Sequence, residues 1–438
     1  MSLSQTDLAG STGDQSAVAG ACLSLPWSAA MTTQEGEQVS AAHRRANRRG
    51  RLLAAVLAAV VASGAAYVGI HLRATSAAAS APRQASLAAH APTARRRRQA
   101  PRPTATTSLR VVSTTPADGA GGVGGTAPIS VTFSSQLASG STRPSIVPSV
   151  PGTWRTVGGT TMTFTPQVPF IPESQVTMTI PAGRSGVRAR DGATLAKAVV
   201  VDFGIEDGST LRLQQLLSLL DYSPLAWNAA GNPIPATDSL GQLRAAYAPP
   251  PGTFSWRQSG WPTELTSLWT PGKYTTFTRG LVMSFQADHG LDVTGVPDAG
   301  LWNDMLTSLA EGVVNTGGYN FALADKVPPQ TLTIWHDGHV VLHTAANTGI
   351  PQSPTPSGTF PVYARYRYYT MHGKNPDGTP YSDPVQYVAY FYDGDAVHYF
   401  PRAAYGIPQS LGCVELPLAE AAVAWPYLAY GTLVRVVN

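Results

Sequence analysis

The sequence predicts a multidomain protein with an N-terminal transmembrane helix, a β-sandwich, a small α-helical domain and a mostly β C-terminal domain. Residues 52–72 form an apolar run without Asp, Glu, Lys or Arg. After it, short β-branched runs give way to helically spaced leucines from residue 209, and alternating runs return after residue 327. A chain of 438 residues suits several domains of roughly 100–200 residues each.

The apolar run at 52–72 is long enough to be a transmembrane helix, since about 20 apolar residues span a bilayer. The basic stretch RRANRRG precedes it, and the positive-inside rule places that flank in the cytoplasm. Residues 1–51 are then a disordered cytoplasmic tail, and everything after Arg73 lies outside a single-pass cell membrane anchor. The alternative is a cleaved signal peptide with its cleavage region at 74–81.

Residues 73–107 are rich in Ala, Pro and Arg and predict an extended linker without a core. Residues 1–107 hold twelve Arg against four acidic residues, which gives +8; the net charge of the whole chain is +4, so residues 108–438 carry −4. No basic face with aromatic residues is visible, and we expect no nucleic-acid partner. The two cysteines, Cys22 and Cys413, are predicted on opposite sides of the membrane, so no disulfide is expected.

Residues 108–205 predict a β-sandwich, because short β-branched runs at 129–133, 161–166, 175–180 and 198–203 alternate with Gly- and Pro-rich turns. The stretch VVSTTPADGAGGVGGTAPISVTFS resembles the opening of bacterial immunoglobulin-like (Ig-like) domains. The resemblance implies a spacer or a module that faces the cell wall.

Residues 209–315 change to a helical period, with helices expected at 209–222, 277–291 and 298–312 and a Pro/Trp-rich insertion at 223–275. The pattern LQQLL…FQADHGLDVTGVPDAGLWNDML resembles three-helix peptidoglycan-binding domains. It places Phe285, Gln286, Gly290, Leu291, Gly295 and Trp302 at the family's positions. The resemblance implies binding to glycan; alternatively, Phe285 and Trp302 are ordinary core residues.

Residues 327–438 return to β structure. The runs of 331–346 flank an Asp-Gly pair, which is a strong hairpin signal, and a polar loop at 372–384 precedes a strand at 385–392. His336, His339 and His343 fall on a strand and a turn without a fourth ligand, so we expect neither a metal nor a cofactor.

Cys413 has no partner for a disulfide, and it follows His398 by fifteen positions. A thiolate is the attacking form of cysteine, and a nearby histidine can serve as the base that generates it. Gly412 allows a sharp turn in which backbone N–H groups converge, as an oxyanion hole requires. The residues suit acyl transfer from an amide through a thioester.

The pattern H-x11-S-x-G-C-V, with TPSGTF upstream, resembles the catalytic domain of L,D-transpeptidases of the YkuD type from Thr331 to Val437. The resemblance implies a cysteine acyl-enzyme that acts on peptidoglycan stem peptides. D-Ala leaves, and the amine of a second stem forms a cross-link between two diaminopimelate residues in cell wall biogenesis.

The resemblance also implies roles for individual residues. Cys413 is the nucleophile, His398 the general base, and the backbone carbonyl of Tyr399 orients the imidazole. Ser410 fixes the turn, and the N–H groups of Leu411, Gly412 and Cys413 are the oxyanion donors. Candidate substrate contacts are Glu415, His372 and Tyr369.

Two positions depart from the family pattern. Leu411 stands where a His or another polar residue is frequent, and Glu415 stands where Arg or Asn is usual. The second departure leaves open a catalytically inactive protein that tethers the wall. An L,D-carboxypeptidase that resolves the same acyl-enzyme with water also stays open, because sequence does not separate the two products. The expected location of the catalytic domain is the bacterial envelope, outside the cytoplasm.

Overall fold

The computed structural model describes residues 108–438. The tail, the transmembrane helix and the linker predicted within residues 1–107 lie outside the described residues, as does Cys22. Within residues 108–438, no helix is both long and apolar enough to cross a bilayer.

The first segment is a β-sandwich. Its strands are β1 (Val111–Thr115), β2 (Ala120–Val123), β3 (Ile129–Phe133), β4 (Ser145–Val147), β5 (Gly152–Val157), β6 (Thr161–Pro166), β7 (Gln175–Ile180) and β8 (Val199–Ile205). They form two sheets, ordered β1-β3-β6-β5 and β2-β8-β7-β4. Alternate residues of β3 and β7 are buried, as the two-residue period of a strand requires. Val131, Met178 and Phe203 meet in the core between the sheets, which confirms the predicted sandwich.

The second segment contains the predicted helices. Its elements are α1 (Thr210–Leu219), β9 (Leu225–Ala229), α2 (Ser239–Tyr247), β10 (Gly252–Trp256), α3 (Thr263–Thr266), α4 (Thr276–Asp288) and α5 (Ala299–Glu311). Ser209 caps α1 by accepting the Arg212 N–H at 3.4 Å, and Asp298 caps α5 by accepting the Leu301 N–H at 2.7 Å. The insertion at 223–275 is folded, because β9 and β10 pair as an antiparallel ladder.

The helical segment shares its core with the C-terminal segment. Phe277 and Leu281 of α4 pack in one cluster with Tyr319, Phe321 and Leu433. In the same segment, the side chains of Phe285 and Trp302 are 0% and 1% exposed. Neither ring has a surface that a glycan could contact. The structure therefore supports the interpretation of Phe285 and Trp302 as ordinary core residues.

The C-terminal segment consists of two sheets and a short helix. Its elements are β11 (Asn320–Asp325), β12 (Thr331–His336), β13 (His339–Ala345), β14 (Gly358–Pro361), β15 (Ala364–Lys374), β16 (Pro380–Tyr392), β17 (Asp395–Tyr399), β18 (Val414–Leu416), α6 (Leu418–Ala424) and β19 (Leu433–Val437). One sheet has the order β13-β12-β11-β19-β14 and the other β15-β16-β17-β18. Ile334, Phe391 and Val434 from both sheets meet in a common core.

The hairpins of this segment agree with the sequence in one place and differ in another. Asp337 and Gly338 have positive φ angles of 46° and 79°, which suits the predicted tight turn. The prediction of a polar loop at 372–384 is wrong in its length, because β15 and β16 pair as far as Lys374 and Pro380. Backbone pairing continues along both polar strands, and only residues 375–379 form the turn.

Candidate active site

Parallel pairing between β17 and β18 brings the predicted histidine and cysteine together. The register sets Val397 opposite Val414 and His398 opposite Glu415, so Cys413 immediately precedes β18, next to β17. Both side chains line one pocket of about 430 Å³. The loop that joins the two strands crosses from one to the other, as a parallel connection requires.

The His398 imidazole is buried and held by its neighbour's backbone. Its side chain is 3% exposed, and Nδ1 lies 2.9 Å from the carbonyl oxygen of Tyr399. A carbonyl only accepts hydrogen bonds, so Nδ1 carries the proton and Nε2 keeps its lone pair. Burial lowers the pKa of His398, because the charged form loses its solvation. The ring is therefore a neutral base with Nε2 as the accepting atom.

Cys413 is a free, half-buried thiol. Burial raises its pKa to about 12, and a hydrogen bond from the Ala396 backbone opposes the shift only in part. The resting site therefore holds a neutral thiol beside a neutral imidazole. Within residues 108–438 no hydrogen bond joins the thiol directly to His398. Hydrogen bonds between a nucleophile and its base are often long or absent until substrate binds.

The turn before the cysteine is fixed by its own side chains. Ser410 Oγ donates to the Cys413 carbonyl at 2.6 Å and accepts the Gly412 N–H at 3.2 Å. The Gly412 N–H is thus already engaged. Of the three N–H groups predicted as oxyanion donors, those of Leu411 and Cys413 remain the candidates.

Thr355, the first residue of the TPSGTF motif, and Ser353 just before the motif hold the same turn from the other side. Thr355 Oγ1 donates to the Gly412 carbonyl at 2.7 Å, and Ser353 Oγ donates to the Leu411 carbonyl at 2.9 Å. Thr355 Oγ1 also accepts the Gly349 N–H at 2.8 Å. The upstream motif therefore contributes to the site by orienting the cysteine turn.

Gly412 is required by both conformation and space. Its φ angle is 121°, in a region that side-chain-bearing residues rarely adopt. A Cβ atom there would overlap Oδ1 of Asp395. The carboxylate of Asp395 therefore lies directly against the cysteine turn.

Glu415, the departure noted in the sequence, forms a buried ion pair. The Glu415 side chain is 5% exposed. Two nitrogens of the Arg402 guanidinium donate to its carboxylate: Nε lies 2.8 Å from Oε2, and Nη2 lies 2.7 Å from Oε1. Arg402 Nη2 also donates to the Gln409 carbonyl at 3.1 Å. The pair links β18 to the loop before the cysteine and neutralises the carboxylate within the pocket wall.

The remaining predicted contacts also line this pocket. His372 and Tyr369 reach it from β15, and Leu411 and Glu415 line it beside the cysteine. Sequence reasoning missed Asp395, Asp383 and Arg402, which line it too. The nearness of Asp395 and Arg402 to His398 in the chain was a signal for both.

The histidines weighed as metal ligands have other partners. His336 Nδ1 pairs with Asn320 Oδ1 and His343 Nδ1 with Thr333 Oγ1, each at 2.8 Å. Within residues 108–438 no three His, Cys, Asp or Glu side chains are grouped to hold a metal ion.

Two family models match the chain. Residues 320–436 match the L,D-transpeptidase catalytic domain (YkuD), and residues 105–204 match a bacterial Ig-like domain. The helical segment between them falls in neither match. None of the curated proteins compared matches the chain.

Several solved structures resemble the chain. The catalytic domain of an E. faecium L,D-transpeptidase is 30% identical, with 27% of this chain and 96% of that chain covered and a TM-score of 0.25. An L,D-transpeptidase from Mycobacterium smegmatis is 16% identical, with 76% and 100% covered and a TM-score of 0.26. L,D-transpeptidase 3 from Mycobacterium tuberculosis is 15% identical, with 75% and 98% covered and a TM-score of 0.25.

Proposed function

We propose that this chain, whose residues 320–436 match the L,D-transpeptidase catalytic domain, cross-links peptidoglycan stem peptides through a thioester on Cys413. The observation that carries the proposal is the meeting of a free thiol and a buried, oriented imidazole in one pocket of this domain. The proposed product is a bond between two diaminopimelate residues in the cell wall.

The first half-reaction forms the acyl-enzyme. The Cys413 thiol transfers its proton to Nε2 of His398 as the sulfur attacks the carbonyl carbon of the donor stem, at the bond between diaminopimelate and D-Ala. The N–H groups of Leu411 and Cys413 stabilise the oxyanion that develops. His398 then protonates the leaving amine of D-Ala, and a thioester remains.

A neutral pair at rest fits this sequence of steps. The raised pKa of Cys413 and the lowered pKa of His398 disfavour a standing thiolate–imidazolium pair. Proton transfer must then accompany attack. The thiol is protected from oxidants and stray electrophiles until a substrate carbonyl is in place.

The second half-reaction decides between two products of the same acyl-enzyme. Attack by the amine of a second stem gives the cross-link, and attack by water gives the carboxypeptidase product. The inactive wall tether is the other alternative. The pairing of Glu415 with Arg402 argues against it, because the departure noted at position 415 is neutralised.

We also propose an extracytoplasmic site of action, with residues 52–72 as the anchor and the Ig-like domain as a spacer. The apolar run and its basic flank support this topology. Tethering would raise the local concentration of wall polymer at the pocket without adding contacts to it.

Intact-mass analysis of the purified full-length chain tests the acyl-enzyme. After mixing with a disaccharide-tetrapeptide, we expect a covalent adduct with the mass of the tripeptide acyl group. The adduct should be absent from Cys413→Ala. A folded wild-type chain that gains no adduct, and whose Cys413 also resists small thiol reagents, would favour the inactive tether.

A further inference from the structure

Asp395 lies in the active-site pocket and has no role in the steps above. It begins β17, three residues before His398, and its half-buried carboxylate lines the pocket that holds Cys413. Its Oδ1 occupies the space beside Gly412 where any larger residue would place a side chain. The carboxylate therefore borders the turn that presents the nucleophile.

This carboxylate lacks a protein partner. Among the described residues, no hydrogen bond or ion pair reaches its oxygens. Glu415 in the same pocket, by contrast, accepts two hydrogen bonds from the Arg402 guanidinium. A partly desolvated carboxylate that is left unpaired costs stability, and such groups concentrate at functional sites.

The surroundings of Asp395 favour a cation as its missing partner. The titratable groups that face it are Asp393 in the preceding turn, Tyr363 and Tyr381 on the pocket wall, and the Cys413 thiol. None of these carries a positive charge at neutral pH. A second carboxylate, Asp383, lines the same pocket from β16.

We propose that Asp395 binds the ammonium group of the acyl acceptor and removes its first proton. The inference rests on the proposed function, because it concerns the second half-reaction of that site. An amine in water is protonated and cannot attack a thioester until it loses a proton. The Asp395 carboxylate lies against the turn that holds Cys413 and acts electrostatically on its thiol, so it borders the space from which an amine would attack the acyl group.

The protons balance over the whole step. The acceptor ammonium gives one proton to Asp395 and becomes a neutral amine. The amine nitrogen attacks the thioester carbon, and His398 takes the second proton from that nitrogen. The tetrahedral intermediate collapses by breaking the C–S bond, and His398 returns its proton to the Cys413 sulfur. Asp395 then releases its proton to solvent, and the product is a secondary amide.

The acidity of Asp395 suits this task. Burial and the neighbouring Asp393 raise its pKa to about 6. A carboxyl group with that pKa is ionised at neutral pH, when it must bind an ammonium, and it holds a proton more readily than an ordinary aspartate. Water carries no charge for the carboxylate to bind, whereas the acceptor ammonium does. Asp395 therefore favours transfer to the amine over hydrolysis.

The test measures how the acyl-enzyme partitions. Full-length wild type and Asp395→Asn are mixed with the disaccharide-tetrapeptide, and cross-linked dimer and hydrolysed tripeptide are quantified. We expect the ratio of dimer to tripeptide to fall at least tenfold in Asp395→Asn. In wild type, the rate of dimer formation should rise as pH increases through about 6, and the rate of hydrolysis should show no such rise.

Asp292→Asn is the matched control, because it makes the same change at an exposed position that neither lines the pocket nor affects the pKa of Asp395. It should keep the wild-type ratio. The proposal is overturned if Asp395→Asn keeps that ratio, or if it slows acylation as much as it slows transfer. If the variant does not fold, the proposal is overturned when the wild-type rate of dimer formation does not rise near pH 6. A wild type that forms no adduct instead contradicts the proposed function.

Discussion

At the scale of single residues, Arg402 and Glu415 form a pair whose partners differ in exposure, with side chains 28% and 5% exposed. Replacing Arg402 by Met leaves a buried carboxylate without its cation. We expect the free energy of unfolding to fall by about 2 kcal/mol or more, because an uncompensated buried charge costs more than the pair itself gains. Chemical denaturation measures the change.

A double-mutant cycle separates the pair from its surroundings. Adding Glu415→Gln to Arg402→Met should recover part of the loss, since no buried charge then remains. The Arg257–Asp221 pair is the control, because its side chains are 34% and 44% exposed at a similar distance of 2.7 Å. Arg257→Met should cost less than about 1 kcal/mol. Equal losses at the two pairs would contradict the account.

Residue type and spacing predicted Cys413 as the nucleophile and His398 as the base, and they gave Glu415 as a candidate substrate contact. Nothing in the sequence indicated that an arginine pairs with the Glu415 carboxylate. Its partner, Arg402, is thirteen positions away in the loop after β17, and the parallel pairing of β17 with β18 brings that loop beside Glu415. The unpaired state of Asp395 is likewise a property of three-dimensional neighbours, which no local pattern encodes.

At the scale of elements, helix α4 packs closely against the chain that leads into β19. A Cβ atom on Gly280 would lie 2.6 Å from the Gly431 carbonyl oxygen and 2.9 Å from Leu433 Cδ2. Helix propensity favours Ala over Gly by about 1 kcal/mol, but this overlap opposes it. We expect Gly280→Ala to lower the free energy of unfolding by about 1–2 kcal/mol, measured by denaturation.

Gly300 in α5 provides the matched control. The nearest atom to a Cβ there is Asp298 Oδ1 at 3.3 Å, which is only slightly closer than ordinary van der Waals contact. Gly300→Ala should therefore change the free energy of unfolding by no more than about 0.5 kcal/mol. Stabilisation by Gly280→Ala would show that helix and strand separate easily.

Element types followed from the sequence more reliably than element lengths. The turn at Asp337 and Gly338 has a local chemical cause, namely backbone angles that these residues tolerate. The long hairpin of β15 and β16 has no such cause. Its polar tip resembles a loop, and only pairing along its full length, as between His372 and Ser382, makes it strand.

At the scale of the whole molecule, the sequence suggested separable modules, whereas the described segments share side chains. Leu433 of β19, in the C-terminal segment, packs in the same cluster as Phe277 of α4. Periodicity predicts that a helix has an apolar face, but it does not say which neighbour covers that face. The core shared by the helical and C-terminal segments was therefore beyond sequence reasoning.

The contact between the Ig-like and helical segments should make stability depend on pH. Glu173 accepts a hydrogen bond from Trp302 Nε1 at 3.3 Å. Burial, with Asp207 and Asp298 nearby, raises its pKa from 4.5 to about 7. The folded chain then binds the proton more tightly than the unfolded chain, so stability is full below about pH 4.5 and is lost as pH rises through about 7.

Glu173→Gln removes that charge and keeps an oxygen that can accept from Trp302. At pH 8 we expect the variant to exceed wild type by about 1–2 kcal/mol, a figure discounted because Glu173 is only half-buried. Below pH 4.5 the advantage should vanish. Denaturation across this range measures both limits, with Glu311→Gln as the exposed control. An advantage that does not change with pH would mean that Glu173 acts through packing, because only a titrating carboxylate couples this contact between segments to proton concentration.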